Sequence, residues 1–140
     1  MFLTRDKPMP HLIAYLLTAA LFVIVDLIWL AVVAKSFYRA QLQPLIADKF
    51  HLPAAGLFYA LYPLGLAIFA VWPAMRANAW SEALTQGALF GFFAYMTYDL
   101  TNLATLRNWP LRLTVVDIAW GTLISGLAAG GAVLLTRLVT

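Results

Sequence analysis

The sequence predicts an all-α integral membrane protein, a four-helix bundle forming a single transmembrane domain over residues 1–140. Three observations carry this. Hydrophobic residues make up 64% of the chain and charged residues 11%, with a mean hydropathy of +0.85, whereas a soluble domain is roughly a quarter charged. The apolar residues fall into four runs, each close to or beyond the about 20 residues that a helix needs to cross a hydrocarbon core. Trp72, Trp80, Trp109 and Tyr38 stand at the ends of those runs, where amphipathic rings favour the headgroup layer.

The runs cover about 10–34, 54–75, 83–106 and 113–138. Arg5 and Lys7 precede the first as they would in a secretory signal. That run is too long for a signal's apolar core, and Asp26 and Trp29 interrupt the expected cleavage region, so it reads as a retained helix. The longest connection, 35–53, sets Phe37, Leu42, Leu45 and Ile46 among charged and polar residues. It fits either an interfacial amphipathic segment broken at Pro44 or an irregular loop.

The net charge of +3 comes from single Lys and Arg residues between apolar runs. That pattern suits membrane lipids as partners and excludes a nucleic-acid stripe. Arg5, Lys7, Arg76 and Arg137 lie on one side of the expected bundle, and Lys35, Arg39, Lys49, Arg107 and Arg112 on the other. The positive-inside rule then leans only slightly toward loops one and three facing the cytoplasm. With no cysteine and only His11 and His51, thiolate chemistry is excluded, and neither a metal nor a cofactor is expected.

Asp26, Asp99 and Asp117 fall inside the runs and account for half of the six acidic residues. A charge at the centre of a spanning helix costs at least about 2.5 kcal/mol, so such residues face the bundle interior and are functional candidates by default. Connectivity places all three at similar depth. The first and third helices run in the same sense, and Asp26 and Asp99 each precede the run's end by about seven or eight residues, roughly 12 Å. Asp117 comes a few residues into the fourth helix, which starts from the same side. Tyr59 and Tyr62, early in the second helix, reach a similar level.

On the third helix Gly87, Gly91, Tyr95, Tyr98, Asp99 and Asn102 follow one stripe, and on the fourth Asp117, Gly121, Ser125 and Ala128 do the same. Small residues let helices approach closely, so the carboxyls share a face with the packing surface. Pro63 frees a backbone carbonyl near Tyr62, which either opens a polar notch or simply kinks the helix. DLIWLA at 26–31 and DLTNLA at 99–104 share the form D-L-x-x-L-A, as a tandem repeat of two helix pairs would produce.

VDLIWL (25–30), FYRAQL (37–42), YDLTNLATL (98–106) and VDIAWG (116–121) together resemble domain-of-unknown-function family 2177, a family of short bacterial membrane proteins. The resemblance covers nearly the whole chain. It implies four helices and a multi-pass location in the bacterial inner membrane, and it implies no activity.

Three function classes follow. In the first, the protein binds or modifies a lipophilic ligand, a lipid or isoprenoid. Carboxyls in a partly dry pocket can divide into an acid and a base, giving Asp26, Asp99 and Asp117 as catalytic candidates. Tyr59, Tyr62, Tyr95, Tyr98 and Asn102 would orient a polar group, while Trp29 and Trp120 would pack the apolar part. In the second, a homo-oligomer carries protons or cations along the carboxyls, although the opposite half offers few polar groups. In the third, the aspartates only fix the bundle, bonding to Tyr, Trp, Arg107 or Arg112. The absence of a nucleophile motif or cofactor fingerprint leaves open whether the chain is an enzyme.

Overall fold

The computed structural model describes residues 8–140 and is helical throughout, apart from the connections. Arg5 and Lys7, which entered the charge comparison, lie outside the described residues. The first helix starts at Pro8–Ile28, where prolines in the opening turn cost no hydrogen bond, and its axis does not stop at residue 34. A π-helical turn over Trp29–Val33 leads directly into Ala34–Leu42. The chain turns only at Gln43 and Pro44, where the Leu45 and Ile46 amides bond back to the Leu42 carbonyl at 2.8 and 3.1 Å. The first half of the expected interfacial connection is therefore an extension of the first helix.

The second helix runs Leu52–Leu66, Ala67–Val71 and Trp72–Ala77. His51 opens it: its Nδ1 accepts from the Ala54 amide at 3.1 Å and so satisfies one of the free donors of the first turn. Pro63 is buried inside this helix and is followed at once by the π turn over Ala67–Val71. Proline removes one rung of the hydrogen-bond ladder, and the wider turn restores the connection beyond it. Asn78, left-handed at φ 54°, ends the helix.

The third helix, Trp80–Thr105, and the fourth, Leu111–Val139, are joined by a short turn with Asn108 at φ 59°. They form the tightest interface of the bundle. A Cβ on Gly87 would come within 2.6 Å of the Ala129 Cβ and 2.8 Å of the Ser125 carbonyl oxygen, and one on Gly91 would overlap the Gly121 carbonyl. The fourth helix is central. Its inner face, including Gly121, Ile124, Ser125, Ala128, Ala129, Ala132 and Val133, is buried. One core layer joins these residues to Ala14, Ala70, Val71 and Ala83, and another to Phe22 and Leu66.

The outside is apolar. Val32, Phe69, Phe93 and Leu123 stand more than half exposed, with many similar side chains on every helix. A water-soluble monomer rarely shows so continuous an apolar exterior. The helices Met9–Leu42, Leu52–Ala77 and Leu111–Val139 are each long and apolar enough to cross a membrane.

The third helix differs in composition: at 26 residues it is long enough to span, yet it is less apolar than the other three. Ser81, Glu82, Thr85, Gln86, Thr97, Asp99, Thr101, Asn102 and Thr105 dilute it. Much of this polarity is satisfied within the helix. The Thr85, Thr97 and Thr105 hydroxyls donate to the carbonyls four residues earlier at 3.0, 2.6 and 2.7 Å, and Thr101 does likewise.

Candidate functional site

Asp26, Asp99 and Asp117 come together around one cavity of about 240 Å3, between the first, third and fourth helices. Each helix supplies its carboxyl by simple periodicity. On the third, Gly91, Tyr95 and Asp99 are spaced by four, so Asp99 follows the glycine that admits the fourth helix round toward the cavity. On the fourth, Asp117 and Gly121 are related in the same way.

The three carboxyls have different surroundings. Asp26, 7% exposed, accepts from the Tyr59 hydroxyl at 2.6 Å and from Trp120 Nε1 at 3.0 Å. Asp117 is half-buried and accepts from the Tyr38 hydroxyl at 2.8 Å. Asp99 is fully buried; among the described residues no N–H or O–H donor reaches its oxygens, and its hydrogen-bonding neighbour is the Asp117 carboxyl. Leaving buried polar atoms unpaired costs about 1–3 kcal/mol, more when they are charged. Trp29 Nε1 is buried too, beside the Tyr38 hydroxyl, and its ring stacks on Trp120 with centroids 4.1 Å apart and planes 9° from parallel.

Of the ring and amide residues expected around the carboxyls, Trp29, Tyr95, Tyr98 and Trp120 line the cavity. Tyr59, Tyr62 and Asn102 do not. Tyr59 supports Asp26 from behind, Tyr62 spends its hydroxyl on Ser125 Oγ at 2.7 Å, and Asn102 lies beyond the wall. Both tyrosines are carried by the second helix, which contributes nothing to the lining. Arg107 and Arg112 are exposed. Arg112 lies over the Phe37 ring, 5.8 Å from its centroid, and the partners of Asp26 and Asp117 are tyrosine and tryptophan.

Tyr38, Trp109, Leu30, Leu42 and Leu113 line the cavity without having been expected there. Trp109 was assigned to the headgroup layer, yet it is 8% exposed and its Nε1 donates to Thr114 Oγ1 at 3.1 Å. Tyr38 was assigned to the same layer. Twelve residues separate it from Asp26, which puts it about 120° away on a regular helix. The π turn between them absorbs one extra residue, turning the face back by about 100° and bringing Tyr38 over Asp117. The D-L-I-W motif with an aromatic pair further on was a signal for the site, but nothing in the sequence announces the π turn.

Helices with an apolar exterior, three of them fit to cross a bilayer, define the chain as a helical membrane protein with a polar interior notch. It belongs to the DUF2177 family, described as "Predicted membrane protein", whose model matches residues 11–134. No curated protein and no solved structure matched the chain.

Proposed function

We propose that this is a multi-pass bacterial inner-membrane protein whose cavity binds a lipophilic molecule by its polar end, with membrane lipids as its immediate partners. The observation that carries the reading is the fully buried carboxyl of Asp99 on the cavity wall, set against the Asp117 carboxyl with no N–H or O–H donor among the described residues. A bundle built only for stability has no use for such a group, because an unmatched buried acceptor lowers stability. Its cost is offset when a ligand supplies the missing donors. The volume of about 240 Å3 falls below the roughly 300–1,000 Å3 of sites that enclose a drug-sized ligand. It suits a headgroup whose chain stays outside. The most exposed lining residues, Tyr98 at 58% and Leu30 at 41%, stand on the third and first helices, so the mouth opens sideways, where lipid chains would lie.

Mass spectrometry of lipophilic molecules co-purifying with the wild type and with Asp99→Asn tests this. One species is expected to be enriched over the bulk lipid extract with the wild type and reduced with the variant. Identical profiles matching bulk lipid in both would overturn the reading.

A further inference from the structure

The cavity's chemistry is one-sided. Among the described residues Asp26 and Asp117 accept from the neutral groups of Tyr59, Trp120 and Tyr38, and Asp99 has only the Asp117 carboxyl beside it. Between the carboxyls the walls are aromatic, with the Trp29–Trp120 stack on one side. Carboxylates and ring faces share a preferred guest, a cation. A phosphate or carboxylate would meet like charge instead. Asp99 adds a further requirement, because two carboxyls, Asp99 and Asp117, face each other there with no N–H donor between them. A primary ammonium brings three N–H donors and no acceptor, which matches that need.

We propose that the cavity takes the ammonium end of an amine-bearing amphiphile, with the alkyl part leaving past Leu30 and Tyr98. This rests on the cavity being a lipophile site and names the class of its ligand. Such an end could belong to an aminophospholipid headgroup or to a free alkylamine. Both present the same group to Asp99. The chain's net charge of +3 works against unspecific attraction of a cation, so a preference for one reports the cavity itself.

Calorimetric titration of the detergent-solubilised protein with octylammonium and with 1-octanol separates charge from apolarity. Octylammonium is expected to bind about tenfold tighter or more, a difference of about 1.4 kcal/mol. Asp99→Asn should abolish that preference. If this variant does not yield monodisperse protein, Asp117→Asn should reduce the same preference. Native mass spectrometry from phosphatidylethanolamine and phosphatidylglycerol nanodiscs distinguishes the sources. Retained phosphatidylethanolamine assigns the lipid headgroup, whereas octylammonium binding without it assigns a small amine. Equal affinity for octylammonium and octanol, or a preference untouched by either variant, overturns the ammonium assignment and leaves the lipophile site standing. No binding of either probe and no retained lipid overturns both.

Discussion

Trp120 Nε1 on the fourth helix donates to Asp26 Oδ1 on the first at 3.0 Å, while the same indole stacks on Trp29 three residues further along the first helix. One side chain therefore fixes both the carboxyl and the aromatic wall. With Tyr59 donating to the other oxygen at 2.6 Å, Asp26 ties three helices together at one point. Hydrogen bonds inside membrane bundles average about 0.6 kcal/mol and reach about 1.7 at most.

Tyr59→Phe and Trp120→Phe, each removing one donor, should accordingly lower stability by about 0.6–1.7 kcal/mol in a denaturant titration from detergent. The double variant leaves Asp26 buried with no donor. Its loss should exceed the sum of the singles, since an unsatisfied buried group costs about 1–3 kcal/mol. Strictly additive losses would show instead that water replaces the missing donors.

The glycines on the third helix make a sharper test of packing. A side chain on Gly91 would collide with the Gly121 carbonyl and with Ser125, and the Gly121 carbonyl belongs to a backbone that cannot swing aside. Gly91→Leu should cost at least the 1–3 kcal/mol typical of overpacking, seen as a clearly lowered melting temperature in detergent. Gly56→Ala is the control. Nothing lies within 4 Å of a Cβ there, and alanine in a helix is preferred to glycine by about 0.4–1 kcal/mol, so its melting temperature should hold or rise. An unchanged melt for Gly91→Leu would mean that this interface is not the one that holds the bundle together.

The fold class and the meeting of the three carboxyls were legible because both depend on the period of the helix. Apolar runs gave the helices, and depth along antiparallel rods brought Asp26, Asp99 and Asp117 to one level. What the period could not supply was the break in it. The π turn over Trp29–Val33 carries Tyr38 onto Asp117, and no residue in WLAVV signals it. For the same reason the first helix seemed to end at residue 34, although it continues to Leu42. Tyr62 was misjudged differently. It sits at the right depth, but its hydroxyl is taken by Ser125, a pairing that depends on how two helices are rotated against each other and not on either sequence. The third helix was read as equal to the others from the length of its run, although its mean hydropathy falls below theirs.

That third helix decides the topology. If Trp80–Thr105 crosses the bilayer with the other three, the turns before and after it lie on opposite sides; if it stays at one surface, they lie on the same side. Its length, about 39 Å at 1.5 Å per residue, exceeds the roughly 30 Å hydrocarbon core. Its glycine face is buried against the fourth helix, which is apolar enough to span. Packed along a spanning partner, with Asp99 turned inward, it avoids presenting its carboxyl to lipid, so crossing is the expected outcome. The chain has no cysteine, so single replacements at the exposed positions Ala77 and Arg107 report cleanly. In sealed membrane vesicles that carry the protein in one orientation, a membrane-impermeant maleimide should label only one of Ala77→Cys and Arg107→Cys, and the other only after the vesicles are opened. Labelling of both from the same side would overturn the four-span arrangement. The cavity mouth at Tyr98 would then lie in the headgroup layer, not beside lipid chains.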